Sequence, residues 1–127
     1  MGRTGKERPM TGLKLRILFP EVILGPGKAE LLEGIRDTGS IAAAGRRMGM
    51  SYKRAWMLVE EMNAAWQPPL VSSARGGPGG GGAQLTEAGA EVLRLYREVM
   101  ARAEAAVAEP VAALERMLKV RDMSKGK

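Results

Sequence analysis

Gly39-Ser40-Ile41-Ala42-Ala43-Ala44-Gly45-Arg46-Arg47-Met48-Gly49-Met50-Ser51-Tyr52-Lys53-Arg54-Ala55-Trp56 is the stretch on which the fold turns. It reads as two short helices joined by a tight turn. Ser40 is placed to cap the first, its hydroxyl accepting from a first-turn N–H that has no partner inside the helix. Ile41, Ala44, Gly45 and Met48 recur at helical spacing and predict one inward face. Gly49 stops that helix, because glycine takes the left-handed cap conformation without steric cost. Ser51 then caps the second helix. Small residues on the first helix let the second cross it closely. The pattern predicts a helix-turn-helix, whose second helix enters the major groove of DNA.

The second helix divides by face. Ala55, Leu58, Val59 and Met62 fall at i, i+3, i+4 and i+7 and predict a buried stripe. Tyr52, Lys53, Arg54 and Met57 lie largely elsewhere, near the helix start, where a recognition helix meets base edges. Lys53 and Arg54 can donate to guanine O6 and N7, and the Tyr52 hydroxyl can bond phosphate or base. Arg46 and Arg47 belong to the first helix, which crosses the backbone, so phosphate is their expected partner. Ser40, at the entry to that helix, joins the candidate DNA-contacting set. Trp56 and Trp66 could stack on bases, but on helices with an apolar stripe they read first as core or edge-of-core residues.

Composition narrows the partners. The 127 residues suit one compact domain with tails, and a formal charge of +6 favours an anionic partner. Nucleic acid comes first and an acidic membrane surface second. The chain contains no Cys and no His, so a disulfide framework, thiolate metal site, histidine base and histidine zinc ligand are all excluded. No metal and no cofactor is expected. Neither a signal peptide nor an apolar run of membrane-spanning length is legible, which predicts a cytoplasmic protein with no membrane role.

Outward from the centre, Met1–Gly12 carries Arg3, Lys6 and Arg8 among Gly, Thr and Pro and reads as a flexible basic arm. Leu13-Lys14-Leu15-Arg16-Ile17-Leu18-Phe19 alternates, predicting a half-buried strand that Pro20 ends. Val22-Ile23-Leu24 fits either extended or irregular backbone. Pro26 opens a helix with Leu31, Leu32 and Ile35 inward. Gly27-Lys28 invites comparison with a phosphate-binding loop, but Val22 and Ala29 stand where that motif needs Gly and Ser or Thr. After the helix-turn-helix, Pro68-Pro69 bars further helix. Leu70-Val71-Ser72-Ser73 and Ala83-Gln84-Leu85 flank the tract from Arg75 to Gly82, predicting a hairpin with a long glycine tip, a wing. Gly77, Gly79 and Gly82 form a literal G-x-G-x-x-G, but no strand–turn–helix unit surrounds it, so a dinucleotide site does not follow. The tip, with Gly77, Gly79 and Gly80, is either a loop without contacts or a backbone surface that approaches phosphates, with Arg75 adding a cation at its base.

Thr86 caps a last long helix on which Val92, Leu95, Tyr96, Val99, Met100, Ala103, Ala106 and Val107 keep one apolar face. Pro110 predicts a kink or break, with a second piece carrying Val111, Leu114, Met117 and Leu118. Up to Glu109 the helix spans about 35 Å at about 1.5 Å per residue, more than one side of so small a core needs. The excess predicts pairing with a second copy through Val92, Leu95, Tyr96, Val99, Met100, Ala103 and Val107; folding back on the helix at Ala29–Ile35 is the alternative. The expected organisation is a basic arm (1–12), a winged helix-turn-helix (13–85), a dimerisation helix kinked or broken near Pro110 (86–118) and a basic tail (119–127).

Three runs carry a family likeness: Thr38-Gly39-Ser40-Ile41 with Ala43-Ala44; Met50-Ser51-Tyr52-Lys53-Arg54-Ala55-Trp56 followed by Glu61-Met62-Asn63; and the glycine wing leading to Leu85-Thr86-Glu87-Ala88-Gly89. On them, Leu13 to about Leu118 resembles the N-terminal domain of the ModE family, molybdate-responsive bacterial regulators with LysR-type winged helices. The resemblance implies a fold that is mostly α with a small β-wing, and a homodimer joined through the long helix. It implies groove contacts from Ser51, Tyr52, Lys53 and Arg54 and backbone contacts from the wing. Family members carry oxyanion-binding modules beyond that helix. The expectation here is the DNA-binding half without the molybdate-binding modules. Gly45 stands where such motifs commonly have Ala, at a cost of about 1 kcal/mol in helix propensity. The expected function is sequence-specific binding of double-stranded DNA by a homodimeric, ModE-like transcriptional regulator in molybdate-related gene control; the alternative is a winged-helix protein-interaction adaptor. Enzyme activity is not expected, since the adjacent Glu60 and Glu61 diverge on their helix and make no acid–base pair.

Overall fold

The computed structural model describes residues 11–74 and 82–118. The order is β1 (Ile17–Leu18), β2 (Ile23–Leu24), α1 (Pro26–Thr38), α2 (Ile41–Arg47), α3 (Tyr52–Ala65), β3 (Val71–Ala74), β4 (Gly82–Leu85) and α4 (Glu87–Met117). Mostly helical, with a two-stranded wing and one long terminal helix, it is a winged helix-turn-helix. β3 and β4 pair antiparallel from Val71–Leu85 to Ala74–Gly82. A second small ribbon pairs Ile17 with Leu24 and Leu18 with Ile23. The expected N-terminal basic arm and C-terminal basic tail, apart from Thr11 and Gly12, lie outside the described residues.

The caps form as expected. The Ser40 hydroxyl accepts from the Ala43 N–H at 3.0 Å, Ser51 from Arg54 at 3.1 Å, and Thr86 from Gly89 at 3.0 Å. Gly49 takes φ of 74° just past α2, and its N–H bonds the Arg46 carbonyl at 3.0 Å. Gly45 is the point of closest approach between α2 and α3. A Cβ there would lie 3.0 Å from the Ala55 Cβ, so the lost helix propensity is exchanged for a tight crossing. Leu31, Leu32 and Ile35 of α1, Ala55, Val59 and Met62 of α3, and Leu70 at the foot of the wing make the core.

Three expectations require correction. The strand predicted over Leu13–Phe19 shrinks to Ile17–Leu18, although burial alternates from Leu13 to Leu18. Its partner is only Ile23–Leu24, because α1 begins at Pro26 and leaves no extended backbone opposite Leu13–Arg16. Of the kink or break expected at Pro110, the break does not occur: α4 is one helix from Glu87 to Met117 with Pro110 inside it. Proline removes one intrahelical donor. Ala105, Ala106, Ala108, Ala112 and Ala113 flank it with the strongest helix former, and exposure of the Ala106 stretch lets water satisfy the carbonyl left over. Finally, Tyr96 is not a surface residue of α4. It is 2 % exposed, and its hydroxyl donates to the Leu15 carbonyl at 2.7 Å. Burial raises its pKa.

α4 therefore serves its own chain first. Leu93 and Tyr96 enter the core, Val92 and Met100 pack against it, and Arg97 pairs with Glu33 of α1. Gly89 presses on the chain entering the wing: a Cβ there would collide with the Leu70 carbonyl oxygen, which accepts from the Thr86 N–H at 2.9 Å. Gly89→Ala should destabilise the fold by about 3 kcal/mol, the upper end of overpacking costs, because backbone rather than a flexible side chain must move. Urea unfolding followed by circular dichroism measures it.

Candidate nucleic-acid interface

The N-terminal end of α3 is presented by what lies beneath it. Ala55, Val59 and Met62 fix one side of the helix in the core, so Tyr52, Lys53 and Arg54 are carried outward. All three are exposed, Tyr52 by 56 %, and none makes a side-chain hydrogen bond or ion pair among the described residues. Ser51 is exposed too, with its hydroxyl oxygen engaged in the cap and its proton available to an incoming acceptor. Ser40, half-buried, has the same arrangement at α2. Its N–H bonds the Thr38 hydroxyl at 3.2 Å, and that hydroxyl donates to the Gly34 carbonyl at 2.8 Å, which stiffens the turn into the helix-turn-helix.

The two arginines of α2 differ. Both are exposed, but Arg47 lies 3.6 Å from Asp37, whereas Arg46 has no ion pair among the described residues. Asp37 also accepts from Arg36 at 3.0 Å. That hydrogen bond first, and the nearby charges of Arg36 and Arg47 with it, hold the Asp37 carboxyl below the usual range. Such exposed pairs contribute little to stability, so Arg47 can exchange Asp37 for a phosphate at small cost.

The wing is latched to α3 by one side chain that sequence reading gave no role. The Asn63 amide oxygen accepts from the Leu70 and Val71 N–H groups at 2.9 and 3.1 Å, and its nitrogen donates to the Val71 carbonyl at 3.0 Å. On the other side, the Ala83 N–H of β4 bonds the Gly39 carbonyl at 3.0 Å. The wing is thus fixed to α3 and to the turn between α1 and α2. Arg75, Gly77, Gly79 and Gly80 lie outside the described residues. The available signal for Asn63 was an amide side chain at the end of a helix, just before a buried strand whose backbone needs partners.

Trp56 also departs from expectation. It is 44 % exposed rather than core, and faces the wing across a narrow cleft, because Ala55 and Val59 already occupy the inward side of α3. Trp66 is half-buried at the core edge, its ring 6.1 Å from that of Phe19. On α4, Leu95 and Val99 are 45 % and 40 % exposed, while Val92, Met100, Ala103 and Val107 are half-buried. Among the described residues no cluster of three or more acidic side chains could hold a metal, and no helix is long and apolar enough to cross a membrane.

Residues 28–90 match the family of bacterial regulatory helix-turn-helix proteins, lysR family. The chain is 42% identical over 95 residues to the molybdenum-pterin-binding protein MopB of Rhodobacter capsulatus, covering 75% of this chain and 34% of MopB. It is 44% identical over 79 residues to the DNA-binding transcriptional dual regulator ModE of Escherichia coli K12, covering 62% of this chain and 30% of that protein. The transcriptional regulator ModE of Yersinia pestis is 44% identical over 71 residues, covering 56% and 27%. The chain thus spans about a third or less of the length of these relatives.

Asn63→Ala should cost about 2–3 kcal/mol, since it strands backbone groups of Leu70 and Val71 that are shielded from water. Asn63→Asp, which keeps the acceptor for both N–H groups, should recover part of the loss. Paired urea titrations of the two variants read the difference.

Proposed function

We propose, from the premise that residues 28–90 are a ModE-like winged helix-turn-helix domain of the lysR type, that this protein is a sequence-specific, homodimeric regulator that binds double-stranded DNA. The observation that carries the reading is the tip of α3: Tyr52, Lys53 and Arg54 stand together in solvent, unpaired among the described residues, on a helix whose other side is locked in the core. Lys53 and Arg54 read base edges in the major groove, Ser40, Ser51 and Arg46 hold phosphates, and Arg47 joins them when it leaves Asp37. The wing, with Arg75, Gly77, Gly79 and Gly80, grips the flanking backbone. The names of the relatives favour molybdate-related genes, and a DNA partner implies a cytoplasmic site of action.

The dimer forms through α4, with the winged domain before it and the basic arm and tail as accessories. Leu95 and Val99 leave apolar surface in water that the protomer does not cover. Three pairs of apolar residues are also equidistant from position 105: Val92 with Leu118, Val99 with Val111, Ala103 with Val107, while Leu95 falls opposite Glu115. Such a pattern is self-complementary when two copies lie antiparallel about a two-fold axis. A symmetric dimer presents two recognition helices to successive major grooves of a pseudo-palindromic site, about 34–36 Å apart.

Selection of duplexes from a random pool supplies the cognate site. Lys53→Ala and Arg54→Ala should each cost about 1–3 kcal/mol there and relax base preference, while Arg75→Ala should weaken all sequences alike and reduce the salt slope by about one. Equal losses on cognate and random DNA for all three would overturn base reading by α3, and weak, uniform binding erased by salt would favour a protein-interaction adaptor instead. Separately, Leu95→Glu combined with Val99→Glu should convert the dimer to a folded monomer in sedimentation velocity, because both side chains are largely outside the core.

A further inference from the structure

Between α3 and the wing lies a cleft of about 110 Å³. Trp56, Glu60 and Asn63 line its helical side, and Ser72, Ser73 and Gly82 its strand side. The Asn63 amide is committed to the wing backbone. The Trp56 indole N–H and the two serine hydroxyls have no hydrogen-bond partners among the described residues. Trp56 follows Tyr52 by one helical turn, so both rings stand on the same flank of α3. A tryptophan 44 % exposed leaves a large apolar face and a donor in water where α3 and the wing converge.

We infer that Trp56 is a sugar–phosphate contact, seated on the DNA strand that passes between recognition helix and wing. This assignment rests on the DNA-binding reading above. The cleft is too small for a base pair and open enough for the edge of one nucleotide's backbone. The indole face lies along a deoxyribose, and its N–H donates to the adjoining phosphate, with the hydroxyls of Ser72 and Ser73 as further donors. The Glu60 carboxylate on the same side disfavours a phosphate deeper in the cleft, which confines the contact to the indole edge. Contacts of this kind set register and orientation and carry no base code. Trp56 is therefore separated in role from Lys53 and Arg54, one turn or less away.

The chain has two tryptophans, so Trp66→Phe leaves Trp56 as the only indole. In that background, Trp56 emission should change in step with complex formation by gel shift, for the selected duplex and for a random one. In the otherwise unaltered chain, Trp56→Ala should weaken both duplexes by roughly tenfold, the effect of one hydrogen bond to a charged group. Trp56→Phe, which keeps a ring and loses the donor, should recover only part of that loss. Circular dichroism should show the fold unchanged in each. A complex that forms with Trp56 emission constant and Trp56→Ala at full affinity overturns the contact and leaves the DNA reading standing. A loss confined to the selected duplex also overturns it, by making Trp56 a base reader. No complex with any duplex at near-physiological salt overturns the DNA reading and this contact with it.

Discussion

The peptide units around Leu70 are held from two directions, and the relative placement of α3, the wing and α4 depends on that hold. From one side the Asn63 amide takes the Leu70 N–H; from the other, the Thr86 N–H bonds the Leu70 carbonyl while Gly89 packs against it. The Leu70 side chain is fully buried among α1, α3 and α4 residues of the core. Recognition helix, wing and long helix therefore meet at one residue. Little freedom remains for any of them to turn alone, because each would have to abandon a backbone hydrogen bond in a setting with scarce water to replace it.

This junction bears on the second use proposed for the long helix. The first three turns of α4 are spent on the protomer through Gly89, Leu93 and Tyr96. Beyond Met100 burial falls away, and what remains is a rod with half-covered small and branched residues. A 31-residue helix spans about 46 Å at about 1.5 Å per residue. Its root is rigidly tied to α3 through Leu70, so in the proposed dimer the angle at which two copies cross through this rod would fix the spacing and tilt of their α3 helices. Sequence-specific recognition by a dimer requires that kind of stiffness, since a loose linkage would accept many half-site spacings.

Local chemistry was legible in the chain and tertiary substitution was not. Ser40, Ser51 and Thr86 were readable as caps because a hydroxyl before an apolar-periodic run has few other uses, and Gly49 as a stop because of its handedness. The exposed placement of Lys53 and Arg54 followed from the stripe at Ala55, Val59 and Met62. Alternation at Leu13–Phe19 predicted a strand, yet alternating burial needs only an extended chain lying on a surface, not a ladder. Tyr96 sits on the apolar side of α4 by any periodicity count; which body covers it depended on the Leu15 carbonyl, 81 positions away in the chain. Trp56 was misplaced because hydrophobicity alone does not say which side of a helix has already been filled. Asn63 had no role until Leu70 and Val71 were beside it.

The bond from the Ala83 N–H to the Gly39 carbonyl does more than locate the wing. A two-stranded ribbon is marginal by itself and exposes raw edges that invite pairing with other chains. Here the helix-turn-helix supplies a single acceptor on the outer margin of β4, close to where the ribbon leaves the body. That margin is thereby occupied near the body, which guards against strand addition by a neighbouring chain.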